Sequence, residues 1–303
     1  MRQTRSLTAI LLTLVLTACG AAGSGTASPL ATSEGGAAST PVEPSTTASP
    51  MPSPTAGASS GITTTDISDE MTQTITVWQP AGQGPFPVVY ALHGHEASRR
   101  DVSVIAEDFA RNGYLVFAAD YRSTEELDVV IQDVECGYRY SLTIAEQFGG
   151  SLGLTITMIG HSQGASAVLV HGLREADFGP GGTFEACLTA APRPDVIVPI
   201  AGCHYGLGDV TWDFDTSGFG NKDADIVLVA GTSDDTCPAS QSENAADALR
   251  ALAYKVELVE IEGADHTTLI SQEVVNGELV LNPDEPAGAA VVEAIRTAIE
   301  AAE

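Results

Sequence analysis

The sequence predicts an α/β fold: a mostly parallel central sheet with helices packed on both of its faces. Three observations carry that prediction. Short β-branched and apolar runs alternate with longer helical segments between residues 73 and 302, a pattern that gives strand–helix–strand units. One such run, residues 156–160, passes into a small, breaker-free apolar segment through Gly160-His161-Ser162-Gln163-Gly164. The residues with chemistry to offer lie just past strand ends, where open parallel sheets gather their functional loops.

Residues 73–79 alternate polar and apolar side chains and are expected to form an edge strand. Residues 88–92 read as a buried strand ending in His93-Gly94-His95. Residues 101–111 are amphipathic, with Asp101 expected as the helix N-cap and Asn112-Gly113 as the stop. Residues 114–119 form a third strand, and 125–148 a long helix closed by Gly149-Gly150. After the Ser162 turn, residues 174–194 have Gly and Pro but no period, an excursion too short for a cap domain. Residues 195–201 read as a strand despite Pro199, which cannot donate to a ladder. An irregular stretch covers 204–225; Asp209, Asp213, Asp215, Asp223 and Asp225 lie in it without a calcium-loop spacing, so a solvated acidic loop is expected. Residues 226–230 and 255–261 are strands, and 239–253 and 286–302 helices.

Ser162 sits where a strand turns sharply into a helix. Such a turn needs small residues two before and two after, which Gly160 and Gly164 supply. A serine hydroxyl is a weak nucleophile at neutral pH and needs a base within reach and a third group to orient that base. Of the six histidines, His266 is best placed, just past the strand 255–261. The acid follows the strand 226–230, where Asp234 and Asp235 are both candidates. Ser, then Asp, then His, each beyond a strand, is far more specific than any one of them. His161 adjoins the serine and is expected to point away from it.

With the G-H-S-Q-G elbow, the His93-Gly94-His95 loop and the run from Gly231 to Pro238, the chain resembles the alpha/beta-hydrolase superfamily, most of all its dienelactone-hydrolase-like and polyester-hydrolase-like branches. The resemblance implies the alpha/beta-hydrolase fold without a large cap domain, and an open site. It implies Asp234 as the acid, and an oxyanion hole made of the backbone N–H groups of His95 and Gln163. No cofactor and no metal are expected. The implied activity is hydrolysis of carboxylic esters through an acyl-serine. A thioesterase, lipase or peptidase could use the same three residues, and a non-catalytic lipoprotein binding module could keep the same fold.

The formal charge is −27, with lysine only at positions 222 and 255. So acidic a chain excludes nucleic acid and electrostatic docking on anionic lipid. Arg2 and Arg5 precede an apolar run, residues 7–16, too short to span a bilayer. Leu16-Thr17-Ala18-Cys19-Gly20 then looks like a bacterial lipobox, which implies cleavage before Cys19 and lipid on that cysteine. Residues 1–18 are accordingly expected to be a signal peptide. Residues 19–65 would be the lipidated cysteine and a disordered Ser/Thr/Pro/Ala/Gly linker, a tether on the order of 40 Å. Residues 66–303 would be the catalytic domain. An extracytoplasmic, membrane-anchored monomer is expected, acting on a small-molecule or polymer-end ester. In an oxidising compartment the four remaining cysteines favour disulfides. Three connectivities are possible; Cys203–Cys237 with Cys136–Cys187 is the one expected, because Cys203 and Cys237 lie past neighbouring strands.

Overall fold

The computed structural model describes residues 61–68, 73–124, 126–174, 191–207, 210–211 and 214–302. The expected signal segment, Cys19, nearly all of the linker and Cys187 lie outside the described residues. Strands β1 (Thr63–Ser68), β2 (Thr74–Gln79) and β3 (Val88–Leu92) lead to helix α1 (Ser103–Arg111). Then come β4 (Leu115–Ala119), α2 (Leu127–Ile144), β5 (Ile156–His161), α3 (Gln163–Leu173) and β6 (Val196–Ile200). A two-stranded excursion, β7 (Gly206–Leu207) and β8 (Val210–Thr211), precedes β9 (Asp225–Gly231), α4 (Ala239–Ala251) and β10 (Lys255–Ile261). A hairpin, β11 (Gln272–Val275) and β12 (Glu278–Leu281), and helix α5 (Pro286–Ala302) complete the described chain.

Eight strands form one sheet in the order β1-β2-β4-β3-β5-β6-β9-β10. β1 and β2 run antiparallel to their neighbours, and the pairs from β4 to β10 are parallel. This is the alpha/beta-hydrolase fold that the resemblance implies. Side-chain alternation divides the core. From β3, Val88, Tyr90 and Leu92 pack with Ile131 of α2, Val168 of α3 and Leu249 of α4. Val89 and Ala91 pack on the other face with Phe109 of α1 and Val291 and Ile295 of α5. β3, β4, β5 and β6 are buried along their whole length, so their sequences read as apolar runs.

The structure departs from the sequence reading at four places. Residues 73–79 are not an edge: β1 covers β2, and Arg99 joins the two strands through Asp66 and Thr76 (3.2 and 2.7 Å). The first residues of β1 are threonines inside the stretch assigned to the linker; they are exposed on an edge and so lack an apolar pattern. Asp101 is not the N-cap of α1. It is the third residue of a 3-10 turn, and its carboxylate accepts the Ser98 backbone N–H (2.8 Å). Pro199 lies in a strand, as expected, and is tolerated because β6 pairs with β5 throughout, while its ladder to β9 skips Val198 and Pro199. The hairpin 272–281 is an addition; Asn276 (φ 54°) and Gly277 (φ 87°) are both left-handed, as a tight two-residue turn requires.

Candidate active site

The elbow is built by close backbone approach. Ser162 has φ 56° and ψ −120°, a conformation that costs energy for any residue with a side chain. A Cβ on Gly160 would lie 2.2 Å from the Gly164 carbonyl oxygen, and one on Gly164 would lie 2.2 Å from that of His93. Only glycine fits either position. The strained residue is held by its N–H, which donates to the Ile200 carbonyl of the neighbouring strand (2.9 Å), and by its carbonyl, which accepts the Ala165 N–H (3.0 Å). The Ser162 side chain projects beside Gly94: a Cβ there would sit 3.5 Å from the Ser162 Oγ.

Asp234 and His266 meet across the ends of β9 and β10. His266 Nδ1–H donates to Asp234 Oδ2 at 2.8 Å. The other oxygen, Oδ1, accepts the backbone N–H groups of Thr236 and Cys237, each at 2.8 Å. Asp234 is 4 % exposed, whereas Asp235 lies on the surface and has no part in the pair. A carboxylate that accepts three hydrogen bonds in a buried loop is fixed in orientation, and it selects the imidazole tautomer with the proton on Nδ1. Nε2 is thereby left as the basic nitrogen.

His161 has a partner that the sequence reading did not name. It shares a sheet face with Ile159, the α1 and α5 side, where Leu269 and Ile270 pack just after His266. Its ring centroid is 4.6 Å from that of His266, and its Nε2–H donates to the His266 carbonyl at 2.8 Å. Burial, and then the proximity of His266, push its pKa down to about 3, so the ring is neutral. The two-residue period of β5 carries the signal for this placement.

The loop after β3 closes the other side. Tyr121 stacks on His93 (4.3 Å, 6°) and donates its hydroxyl to the His93 carbonyl (2.8 Å). Burial lowers the His93 pKa more than the Gly94 carbonyl and Asp120 raise it. Gln163 Nε2 donates to the Thr124 carbonyl (2.6 Å), which turns Oε1 toward His95 Nδ1 (3.3 Å). Among the described residues, the backbone N–H groups of His95 and Gln163 have no acceptor. Both are therefore free to bind an anion, and the N–H of Gln163 belongs to the first turn of α3. The bracing by Tyr121 and Thr124 has no signature in the sequence, because it depends on β4 lying beside β3.

Cys203 and Cys237 are disulfide-bonded, with Cα atoms 4.9 Å apart. Cys136 is also disulfide-bonded; its expected partner, Cys187, lies outside the described residues. Among the described residues no group of three or more His, Cys, Asp and Glu could hold a metal, and no helix is long and apolar enough to cross a membrane. Cys19 is not among them.

No protein-family model and no curated protein matches the chain. Solved structures do. A thermophilic esterase from the planctomycete Thermogutta terrifontis, in its butyrate-bound form, is 18 % identical with a TM-score of 0.56, over 77 % of this chain and 91 % of that one. Esterase 2 of Thermogutta terrifontis phosphoramylated by tabun is 17 % identical with a TM-score of 0.58, over 80 % and 95 %. Its form phosphorylated by paraoxon gives 17 % and 0.57, over 80 % and 94 %. At this identity the likeness is one of fold.

Proposed function

We propose that this chain is a serine hydrolase of carboxylic esters. The observation that carries the reading is the buried Asp234–His266 hydrogen bond (2.8 Å) at the same rim of the sheet as the strained Ser162 turn. In this reading His266 Nε2 takes the Ser162 proton as Oγ attacks the ester carbonyl. The N–H groups of His95 and Gln163 receive the oxyanion, each contributing on the order of 3 kcal/mol to the barrier reduction. The tetrahedral adduct collapses, the alkoxide leaves with the proton from His266, and an acyl-serine remains. Water attacks it with His266 as base, releasing the acid and restoring the hydroxyl. The fold neighbours support the ester class. One is described as bound to butyrate and another as phosphorylated by paraoxon, and this chain is expected to lose activity to the same organophosphate through Ser162. Small or polymer-end esters are the substrates that the resemblance to branches without a large cap implies.

The experiment is fluorophosphonate labelling with Ser162→Ala as control, followed by turnover of p-nitrophenyl acetate, butyrate and octanoate and of a thioester. Labelling of the wild type alone, with ester turnover, is expected. A folded wild type that neither labels nor turns over ester overturns the reading in favour of a binding module. Export and a lipid on Cys19 belong to the same proposal. They are supported by the lipobox-like sequence and by disulfides, which persist in oxidising compartments. Mass analysis of the membrane fraction, with Cys19→Ser as control, tests them.

A further inference from the structure

We propose that His161 is a positioning residue: its Nε2–H grips the backbone carbonyl of His266 and so sets where that imidazole stands against Ser162. The inference rests on the hydrolase reading and adds to it a fourth side chain. Leu269 and Ile270 anchor the far end of the His266 loop in the core, while the hydrogen bonds around His266 run mainly within the loop and to the acid loop. Asp265 Oδ1 accepts the N–H groups of Thr267 and Thr268 (2.9 and 3.0 Å), and Ser233 N–H donates to the Ala264 carbonyl (2.9 Å). None of these reaches the strand that bears the nucleophile. The His161–His266 bond, 2.8 Å across 105 residues of sequence, does. Among the described residues it is the one hydrogen bond joining β5 to the loop of the base.

His161 also touches the loop of the oxyanion donor. A Cβ on Gly94 would lie 3.3 Å from its Nδ1, so the ring is wedged between the loop of the oxyanion donor and the loop of the base. An apolar ring of similar size would fill that space without the cost of burying a polar one. The buried donor earns its place only through the carbonyl it holds. Because the donor is one residue from Ser162 and the acceptor belongs to His266 itself, a shift at either end changes the distance between nucleophile and base.

The test compares His161→Phe, which keeps the ring and loses the donor, with His161→Gln, whose amide nitrogen reaches about as far as Nε2. For His161→Phe, kcat is expected to fall about 10- to 100-fold with KM unchanged, as for a small misplacement of a reacting group. Fluorophosphonate labelling should slow in parallel, and amide exchange in residues 263–271 should rise. His161→Gln should recover most of both. Wild-type kcat in a folded His161→Phe, or equal losses in Phe and Gln with unchanged exchange, overturns the inference. If His161→Phe does not fold, His161→Asn replaces it: its shorter amide cannot reach, so low activity beside an active Gln variant supports the grip, and equal activities overturn it. A wild type inert to every ester and probe would instead sink the hydrolase reading. The exchange difference would then still decide whether the grip exists.

Discussion

The two walls of the candidate site are secured by different means. On the acid side, Asp234 Oδ1 is held by two backbone N–H groups, one of them from Cys237, and Cys237 is bound covalently to Cys203 at the end of β6. On the oxyanion side, the loop from His93 to Glu96 has no covalent tie. It hangs on the Tyr121 hydroxyl, the Ser123 hydroxyl that accepts the Glu96 N–H (3.0 Å), and the Gln163 side chain. Glu96 takes a left-handed conformation to make its contact (φ 52°). The difference fits the proposed hydrolase reading. In it the acid holds one tautomer of the His266 ring, while the oxyanion loop only has to present its N–H groups to a developing charge.

The comparison breaks first at Asp234. Asp234→Asn keeps the shape but presents an amide that does not stabilise the imidazolium, and kcat should fall by about 10⁴-fold with the fold intact. Asp235→Asn, on the surface beside it, should leave kcat within about twofold. Paired kinetics on p-nitrophenyl acetate check both. If Asp235→Asn is the damaging change, the acid side is wrongly assigned.

Opening the Cys203–Cys237 bridge should cost about 2–4 kcal/mol of stability and lower kcat by loosening the Cys237 N–H on Asp234. Denaturant titration and kinetics of Cys203→Ala/Cys237→Ala, with the bridge loss verified by mass, provide the measurement. A variant that loses stability but no activity would show that the two backbone bonds suffice.

Acid should weaken both walls together. His161 and His204 are fully buried with pKa values pushed down to about 3, in each case chiefly by burial. The unfolded chain binds protons at these histidines near pH 6.5 and the folded chain does not, so between those values unfolding takes up protons. The stability they contribute is complete above about pH 6.5 and is lost progressively as pH falls toward about 3. Urea midpoints across that range should decline, and His204→Phe should flatten the decline.

Much of this arrangement can be read in the residues, for identifiable reasons. Strands buried on both faces announce themselves as apolar runs, and the family resemblance carried by the run from Gly231 to Pro238 implies Asp234 over Asp235, the carboxylate that the structure pairs with His266. The elbow is legible because two glycines are forced by contacts of 2.2 Å. What escapes is anything whose meaning depends on a neighbour in space. The threonines of β1 look like linker until β2 lies beside them. Tyr121 looks like one more core aromatic until β4 puts it against the His93 carbonyl. His161 is a middle case: the alternation along β5 gives its face, but what occupies that face depends on the path of the chain a hundred residues on.

On the oxyanion side, Tyr121→Phe removes one buried hydrogen bond and leaves the ring stacked on His93. The His93 carbonyl then loses its partner, at about 1–2 kcal/mol. Part of that should appear as a fall in kcat of about 5-fold, because the freed loop carries the His95 N–H. The signature to look for is lower kcat with KM held. A change in KM alone would mean that the loop binds substrate without shaping the transition state.

The smallest effect is expected a few residues past His266. The hairpin β11–β12 exposes Val274 (64 %) and Leu279 (56 %), which face one another across the two strands. Its base, in contrast, is fastened: Gln272 Nε2 donates to Asp101 Oδ1 (2.7 Å) and Asn282 N–H to the Ser271 carbonyl (2.7 Å). With its base fastened in this way, the hairpin is expected to be uncoupled from His266, the boundary lying at Ser271. Val274→Thr with Leu279→Thr keeps strand-forming residues and removes only exposed apolar surface, so stability should move by no more than about 0.5 kcal/mol and turnover of p-nitrophenyl acetate should be unchanged. Gln272→Ala, made in the buried anchor, should cost more than both exposed changes combined. If the exposed pair slows the soluble ester instead, the hairpin is coupled to His266, and the boundary between the fastened wall and the free surface lies further along the chain than Ser271.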